Sequence, residues 1–280
     1  MLAGTTAFAA PPSVGTAGEF ALSGPMTQGG VLLGVAPLNA VDLRLDGQPV
    51  PFDRDRRFLI AFDRDARTQA LLTARLADGR LIEQKLAVAP RAWRIEHIDA
   101  PMRLTRDSQA FMALRKPELE RIAAARTVRG DSGGWRQRFI RPRPGRISGV
   151  FGAQRIYQGT PGAYHSGVDI AGATGAVVVA PADGVVILAA DRPFTLEGNL
   201  LMLDHGHGLN SAFLHLSRIN VKLGDHIVRG QPIGAVGSTG RATGPHLHWA
   251  VKWNEARVDP LFLTDQLGAT LCSTAPRCAQ

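Results

Sequence analysis

Apolar and polar positions alternate most clearly from His246 to Trp253. Leu247, Trp249, Val251 and Trp253 form one face, and His246, His248, Ala250 and Lys252 form the other. This period of two is typical of a half-buried strand. A strand rises about 3.3 Å per residue, so the backbone positions of the two histidines lie roughly 7 Å apart. The pattern therefore predicts two imidazoles that face one cleft from a rigid sheet.

The rest of the C-terminal half repeats short apolar runs and has no strong helical pattern. Such runs occur at 177–180, 184–189, 200–203, 211–217 and 233–236. Strands of this length separated by glycine-containing turns favour antiparallel pairing. We therefore predict an antiparallel β domain over residues 139–265.

The N-terminal half has the same β-like texture over residues 17–100. The run Val41–Leu45 alternates apolar with polar residues and leads into a turn at Asp46 and Gly47. A second turn, at Asp78 and Gly79, precedes the run 81–88. These signals predict a small β-sandwich-like accessory domain. Two roles stay open for it: a spacer, or a domain that positions substrate or binds a polymer.

Residues 101–138 are richer in charge and alanine than the segments on either side. Leu119, Ile122 and Ala123 recur at helical spacing, and Pro117 suits the first turn of a helix. A helical linker is predicted here. The fold class is thus mainly β: an N-terminal β-sandwich, a connecting helix and a C-terminal antiparallel β domain.

The two ends of the chain carry signals of export. Within residues 1–16, the first ten are mostly small and apolar, and 7–9 (Ala-Phe-Ala) resemble a signal-peptidase site, so the segment reads as the remnant of a signal peptide. A disordered N-terminus is the alternative for this segment. The tail 266–280 contains both cysteines, Cys272 and Cys278, so either a short disulfide loop formed outside the cytoplasm or two free thiols is expected.

Composition narrows the classes of protein further. The chain has 280 residues, of which 45% are hydrophobic, and no run of roughly eighteen apolar residues that would predict a membrane span. Lys and Arg number 32 against 24 Asp and Glu. No basic cluster coincides with an RNA-binding, helix-turn-helix or zinc-finger pattern, so no nucleic-acid partner is predicted. A polyanionic surface such as a bacterial cell wall suits the positive charge equally well.

Two further segments carry candidate chemistry. His165 and Asp169 are four residues apart, which is about 13 Å in a straight strand and too far for two ligands of one metal ion. If both bind, the backbone must bend between them, and Gly167 permits a bend. Otherwise, His165 is a surface residue and Asp169 satisfies a loop amide. The third segment, 211–217, is an apolar strand that contains His215.

Taken in order, His-x-x-x-Asp, Phe-Leu-His-Leu-Ser and Gly-Pro-His-Leu-His-Trp resemble the catalytic domain of the M23 (lysostaphin-like) zinc peptidases. The resemblance spans roughly residues 140–262 and includes the glycine-rich segments 147–152 and 237–244. It implies a LytM-like barrel-sandwich fold. It also implies that Zn²⁺ is bound by His165, Asp169 and His248, and that His215 and His246 are catalytic histidines that do not bind the metal.

The chemistry of these residue types agrees with that assignment. Two histidines and one carboxylate leave a tetrahedral zinc with a position for water, which becomes a nucleophile near neutral pH. A neighbouring histidine can take the proton of that water, and another can stabilise the oxyanion. Which of His215 and His246 does which stays open. The remaining histidines, at 97, 205, 207 and 226, are left out of the predicted site.

The functional prediction is a periplasmic or secreted endopeptidase that hydrolyses peptide cross-links of bacterial peptidoglycan through a zinc-activated water. The substrate class follows from the resemblance alone. The alternative is a non-catalytic LytM-like envelope protein that activates a cell-wall amidase. Such regulators are expected to have lost zinc ligands, so the complete set of His165, Asp169 and His248 favours the enzyme. The bond that is cut and the oligomeric state stay open.

Overall fold

The computed structural model describes residues 19–101 and 109–264. The predicted leader, residues 1–16, lies outside these ranges. The predicted disulfide between Cys272 and Cys278 also lies outside them, so both expectations stay predictions. The domain boundaries near residues 100, 138 and 265 stay predictions as well.

Two antiparallel sheets make up most of the N-terminal part. The first has the order β1-β2-β5 and contains β1 (Ala21–Ser23), β2 (Val31–Val35) and β5 (Arg57–Ala61). The second has the order β4-β3-β6-β7 and contains β3 (Ala40–Leu45), β4 (Gln48–Pro49), β6 (Gln69–Leu76) and β7 (Leu81–Ala87). Every second residue of β6 is buried, and both sheets contribute to one hydrophobic core. This agrees with the predicted small sandwich.

The next strand leaves the N-terminal sheets and joins the C-terminal part. Strand β8 (Ile95–Ile98) pairs in parallel with β10 (Gln154–Tyr157), which also pairs with β11 (Thr160–Pro161). Sheet hydrogen bonds therefore tie the two halves of the chain together.

The connecting helix α1 spans Gln109–Thr127, so its described part begins eight residues before Pro117. The expectation that Pro117 lies near the helix start was wrong, because the proline is inside the helix. A proline there removes one backbone hydrogen bond, which tertiary packing must offset. Ala125 and Ile122 supply that packing in a cluster with Phe194 and residues of the neighbouring sheet.

The C-terminal part is built on an eight-stranded antiparallel sheet. Its strands are β9 (Ile147–Gly149), β12 (Val168–Ala171), β14 (Gly184–Ala189), β15 (Asn199–Asp204), β16 (Leu209–Leu216), β18 (His226–Ile227), β20 (His246–Trp253) and β21 (Ala256–Val258). The order is β18-β14-β15-β16-β20-β12-β9, with β21 on β20.

A small second sheet completes this part, with the order β13-β19-β17. It contains β13 (Val177–Val179), β17 (Arg218–Ile219) and β19 (Pro232–Ala235). Short 3-10 helices lie at Gly134–Arg136 and Pro260–Leu263. The prediction of a mainly β fold with an antiparallel C-terminal domain is confirmed.

One hydrophobic core extends from Phe20 in the N-terminal part to Val258 in the C-terminal part. Its largest fully buried side chain is Trp249, on the apolar face of β20. Among residues 19–101 and 109–264, no helix combines the length and apolarity needed to cross a membrane.

Candidate active site

Strands β12 and β20 place three site residues on one face of the sheet. They pair antiparallel, with Asp169 opposite His248 and Ala171 opposite His246. Side chains alternate along a strand, so His246 and His248 share a face, and a directly paired residue lies on that same face. Burial follows the predicted alternation, because Leu247 and Trp249 are fully buried.

A bend in the chain brings His165 to the same place. The chain bends at Gly167, and His165 Nε2 lies 3.0 Å from Asp169 Oδ1. A side chain at Gly167 would place its Cβ 2.9 Å from His248 Nε2 and closer still to the carbonyl oxygen of Trp249. The bend expected from the His-x-x-x-Asp spacing is therefore present. The role of the glycine is to leave room for β20, since its backbone is not left-handed.

His165, Asp169 and His248 bring three possible ligand atoms together. His248 Nδ1 is 3.0 Å from His165 Nε2 and 2.9 Å from Asp169 Oδ1. Zinc bonds of about 2.0–2.2 Å put tetrahedral ligand atoms roughly 3.3 Å apart, so an ion fits after a small outward movement. Two imidazoles and one carboxylate are also a ligand set found in catalytic zinc sites. Among the described residues, this is the one cluster of its kind that can hold a metal ion.

Hydrogen bonds and charge prepare these atoms for a cation. His165 Nδ1 lies 2.9 Å from the Val150 carbonyl oxygen. A carbonyl oxygen only accepts, so Nδ1 carries a proton, and Nε2 is the nitrogen that faces Asp169 and can bind an ion once it gives up its own proton. Burial by itself would raise the pKa of Asp169, but hydrogen bonds with His165 and His248 hold that pKa well below its usual range. The carboxylate is therefore ionised, while burial lowers the pKa of His248.

His215 and His246 stand beside the cluster without joining it. The ring centres of the two histidines are 4.9 Å apart, and His215 lies 6.3 Å from the ring of His248. His246 Nε2 is 3.7 Å from Asp169 Oδ1. Both side chains thus adjoin the place where a metal-held group would react.

The backbone fixes the tautomer of both outer histidines. His215 Nδ1 donates to the Thr239 carbonyl oxygen at 2.9 Å, and His246 Nδ1 donates to that of Gly244 at 2.8 Å. In the neutral form of each ring, Nε2 is therefore the nitrogen without a proton. Burial lowers the pKa of His215, which favours the neutral, proton-accepting form.

A cavity of about 1000 Å³ opens beside the cluster of His165, Asp169 and His248, and the first two of these residues line it. Its wall includes Arg94 and Glu96 from the N-terminal part and Arg155 from β10. Arg155 is paired with Glu96 at 2.9 Å. The cavity therefore lies between the two halves of the molecule, next to the candidate ligands.

All five predicted site residues come together, and the four histidines left out of the prediction lie elsewhere. His205 is fully buried between the Asp183 carbonyl and the Ser211 hydroxyl. His207 pairs with Asp53 at 2.9 Å. His97 and His226 are exposed. Nothing here argues for adding any of them to the site.

Sequence reasoning missed the residues that orient the histidines. Val150 and Thr239 contribute only backbone carbonyls, which no side-chain motif can indicate. Gly149 allows close approach, because a Cβ there would lie 2.9 Å from Asp169 Cγ and 3.1 Å from His165 Cε1. The two glycine-rich segments were the available signal, since they contain both Gly149 and Thr239.

Known proteins resemble this chain in sequence and in structure. The sequence profile of Peptidase family M23 matches residues 163–260. The crystal structure of a Pseudomonas aeruginosa protein classed as a peptidase M23 is 31% identical, with a TM-score of 0.63. The similarity covers 85% of this chain and 93% of that one. It therefore includes the N-terminal part as well as the region of the site.

Curated relatives match over the C-terminal part. The peptidoglycan DD-endopeptidase ShyA of Vibrio cholerae is 43% identical over 105 residues, which are 37% of this chain and 24% of that protein. The DD-carboxypeptidase/endopeptidase Mpg of Neisseria meningitidis is 39% identical over 97 residues, or 35% and 22% of the two chains. The matched region thus spans about a quarter of the length of these relatives.

Proposed function

This chain belongs to peptidase family M23, and we propose that it is a zinc-dependent endopeptidase that hydrolyses peptide cross-links of bacterial peptidoglycan. The observation that carries the proposal is the arrangement of five side chains. Three ligand atoms within 3.0 Å of one another stand next to two histidines whose Nδ1 atoms are held by backbone carbonyls. A purely structural zinc site would not need His215 and His246 beside the ligands.

In this proposal His165, Asp169 and His248 hold the ion. When bound, zinc acts as a Lewis acid that activates water and polarises the scissile carbonyl. Asp169 adds negative charge to the ligand set, because its carboxylate stays ionised. The hydrogen bond from His165 to the Val150 carbonyl fixes the ring so that Nε2 points at the cluster.

The other two histidines handle protons and charge. In the neutral form, His215 and His246 each have an unprotonated Nε2 beside the cluster, so either can accept a proton from the attacking water. Once protonated, the same ring can donate to the oxyanion or to the leaving amine. The hydrogen bonds from Nδ1 to Thr239 and Gly244 keep the rings from rotating away.

The substrate class rests on the relatives. ShyA is named a peptidoglycan DD-endopeptidase, and Mpg is named a DD-carboxypeptidase/endopeptidase. The cavity of about 1000 Å³ next to the cluster is large enough for a peptide segment. The net charge of +8 suits an anionic polymer. A role in hydrolysing peptidoglycan supports the further proposal that the protein acts in the periplasm or outside the cell.

Digestion of purified cross-linked muropeptides tests the proposal. The zinc-loaded protein should convert cross-linked dimers into monomers, and mass spectrometry should show the addition of one water per cut. The metal-free protein should leave the dimers intact. Intact dimers with the zinc-loaded protein, together with stimulation of a cell-wall amidase, would support the amidase-activator alternative instead.

A further inference from the structure

Arg64 is a buried cation of the N-terminal part that contacts the C-terminal part. It follows β5, and only 6% of its surface is exposed. Its Nε and Nη2 donate to the Gly152 carbonyl oxygen at 3.2 and 3.1 Å, and Nη2 also donates to Gln154 Oε1 at 3.0 Å. The guanidinium lies 5.3 Å from the ring centre of Trp93 and 4.8 Å from that of Tyr164.

Arg64 contacts the segment 150–153 through the Gly152 carbonyl, and the same segment holds His165. Three hydrogen bonds join them. The His165 amide donates to the Ala153 carbonyl at 2.8 Å, and the His165 carbonyl accepts from the Gly152 amide at 2.8 Å. The ring Nδ1 donates to the Val150 carbonyl at 2.9 Å. Residues 150–153 therefore hold both the backbone and the ring of His165 in position.

The fit between the two halves is close at this point. Gly152 has a left-handed φ of 80°, and a Cβ there would run into the ring of Trp93. Phe151 packs edge-on against Trp93 at 5.7 Å and against Tyr164 at 6.2 Å. Aromatic rings therefore hold one side of residues 150–153 and Arg64 holds the Gly152 carbonyl, so loss of Arg64 removes one of the two restraints on this segment.

We propose that Arg64 is a positioning residue for His165, so that the N-terminal part is a component of the metal centre and more than a spacer. This inference rests on the zinc-binding role given to His165 in the proposed function. A planar guanidinium can serve the Gly152 carbonyl and the Gln154 side chain at once, which a lysine ammonium cannot do with the same geometry. Groups that orient a metal ligand typically change metal affinity or activity by about 10- to 100-fold.

Arg91 is the matched control. It also bridges the two halves, through Asp259 at 3.0 Å, and it also stacks on Trp93, at 4.5 Å. It makes no hydrogen bond to residues 150–154. A merely structural role for Arg64 predicts that Arg64→Met and Arg91→Met behave alike.

The experiment compares zinc affinity, by competition with a chromophoric chelator, in the unmodified protein and in both variants. Arg64→Met should weaken zinc binding by about 10-fold or more, whereas Arg91→Met should change it by less than about twofold. Arg64→Lys should fall between the unmodified protein and Arg64→Met. If Arg64→Met does not fold, the comparison of Arg64→Lys with Arg91→Met decides by the same criterion.

Hydrogen exchange of the metal-free proteins gives a readout that does not need zinc. The amides of Gly152 and His165 should exchange about 10-fold faster in Arg64→Met than in Arg91→Met. Equal exchange together with equal zinc affinity in the two variants overturns the inference. Absence of zinc binding by the unmodified protein would contradict the proposed function instead, and the exchange rates would still show whether Arg64 holds the segment.

Discussion

Gly149 leaves the space that the Asp169 carboxylate occupies. An added methyl group would press on Asp169 and on the ring of His165, as the distances of 2.9 Å to Asp169 Cγ and 3.1 Å to His165 Cε1 show. We expect Gly149→Ala to weaken zinc binding about 10- to 100-fold while the protein stays folded. Chelator competition measures this. Gly133→Ala is the control, because its Cβ would meet nothing within 4 Å, and zinc affinity equal in the two variants would contradict the prediction.

His205 should make stability depend on pH. Burial lowers its pKa from 6.5 to about 4. Between pH 6.5 and about 4, His205 is protonated in the unfolded chain but neutral in the folded protein. The free energy of unfolding is therefore highest above pH 6.5 and falls as the pH drops toward 4. One pKa unit corresponds to about 1.4 kcal/mol, so the total loss is about 3 kcal/mol.

Urea unfolding at pH 7.5 and pH 4.5 tests this expectation. His205→Phe removes the titrating group and keeps an aromatic ring beside Phe139. The unmodified protein should lose about 2 kcal/mol more stability than this variant over the interval. The same pH dependence in both proteins would show that His205 titrates normally.

At the residue scale, the motifs and the family resemblance predicted five site side chains, which the structure brings together, because metal ligands and proton-transfer groups must be particular residue types. The supporting contacts could not be read in the same way. Every residue has a backbone carbonyl, so the identities of Val150 and Thr239 give no sign that their carbonyls orient His165 and His215. The His165–Asp169 pair needed a bend, and the sequence offered Gly167 as a residue that permits one, but the bend itself depends on how β12 meets β20.

Ion pairs join helix α1 to the loop before β15, the strand that pairs with the His215 strand β16. Arg115 donates to both oxygens of Glu197 at 2.6 and 2.7 Å and to Glu118 at 3.0 Å. The Glu197 carbonyl in turn accepts from the His215 amide at 2.8 Å. These side chains are 10–16% exposed, so the ion pairs are largely buried.

Removal of the Arg115 charge should therefore be costly. Arg115→Met leaves two carboxylates close together without their cation, and breaking a buried pair from one side costs about 3–5 kcal/mol. The free energy of unfolding in urea measures the loss. Arg121→Met is the control, since its pair with Asp191 is exposed and should be worth less than about 1 kcal/mol. Similar losses in the two variants would count against a special role for Arg115.

Elements differed in how far the sequence predicted them. Alternation identified β20, because one face is apolar along its whole length and three of the four residues on the other face are polar. The helix was found, but Pro117 misled the prediction of its start. A proline fits a first turn by local preference, and the packing of Ala125 and Arg115 that keeps it inside α1 is not local.

At the scale of the whole molecule, the two halves share one hydrophobic core. They are also joined by the pairing of β8 with β10 and by the Arg91–Asp259 ion pair. Differential scanning calorimetry should therefore show one transition, with calorimetric and van't Hoff enthalpies in agreement. Two separate transitions would mean that the halves unfold independently.

This joint arrangement could not be predicted from the sequence. The sequence pattern separated a β-rich accessory segment from the segment with the motifs. A spacer remained one of the two possible roles of the accessory segment. The contact from Arg64 to Gly152 links residues 88 positions apart. An arginine after a strand in the N-terminal half gives no sign of such a partner, because the contact depends on how the sheets meet.

The central claim is that three residues hold zinc while two others move protons. Zinc content and cleavage of cross-linked muropeptides, measured together in the unmodified protein, His248→Ala, His215→Ala and His246→Ala, test it most directly. We expect about one zinc per chain in the unmodified protein and in the last two variants, whose cleavage rates should fall about 10²- to 10³-fold. His248→Ala should lose most of the metal. Full zinc occupancy in His248→Ala, or unchanged cleavage by both His215→Ala and His246→Ala, would contradict the claim.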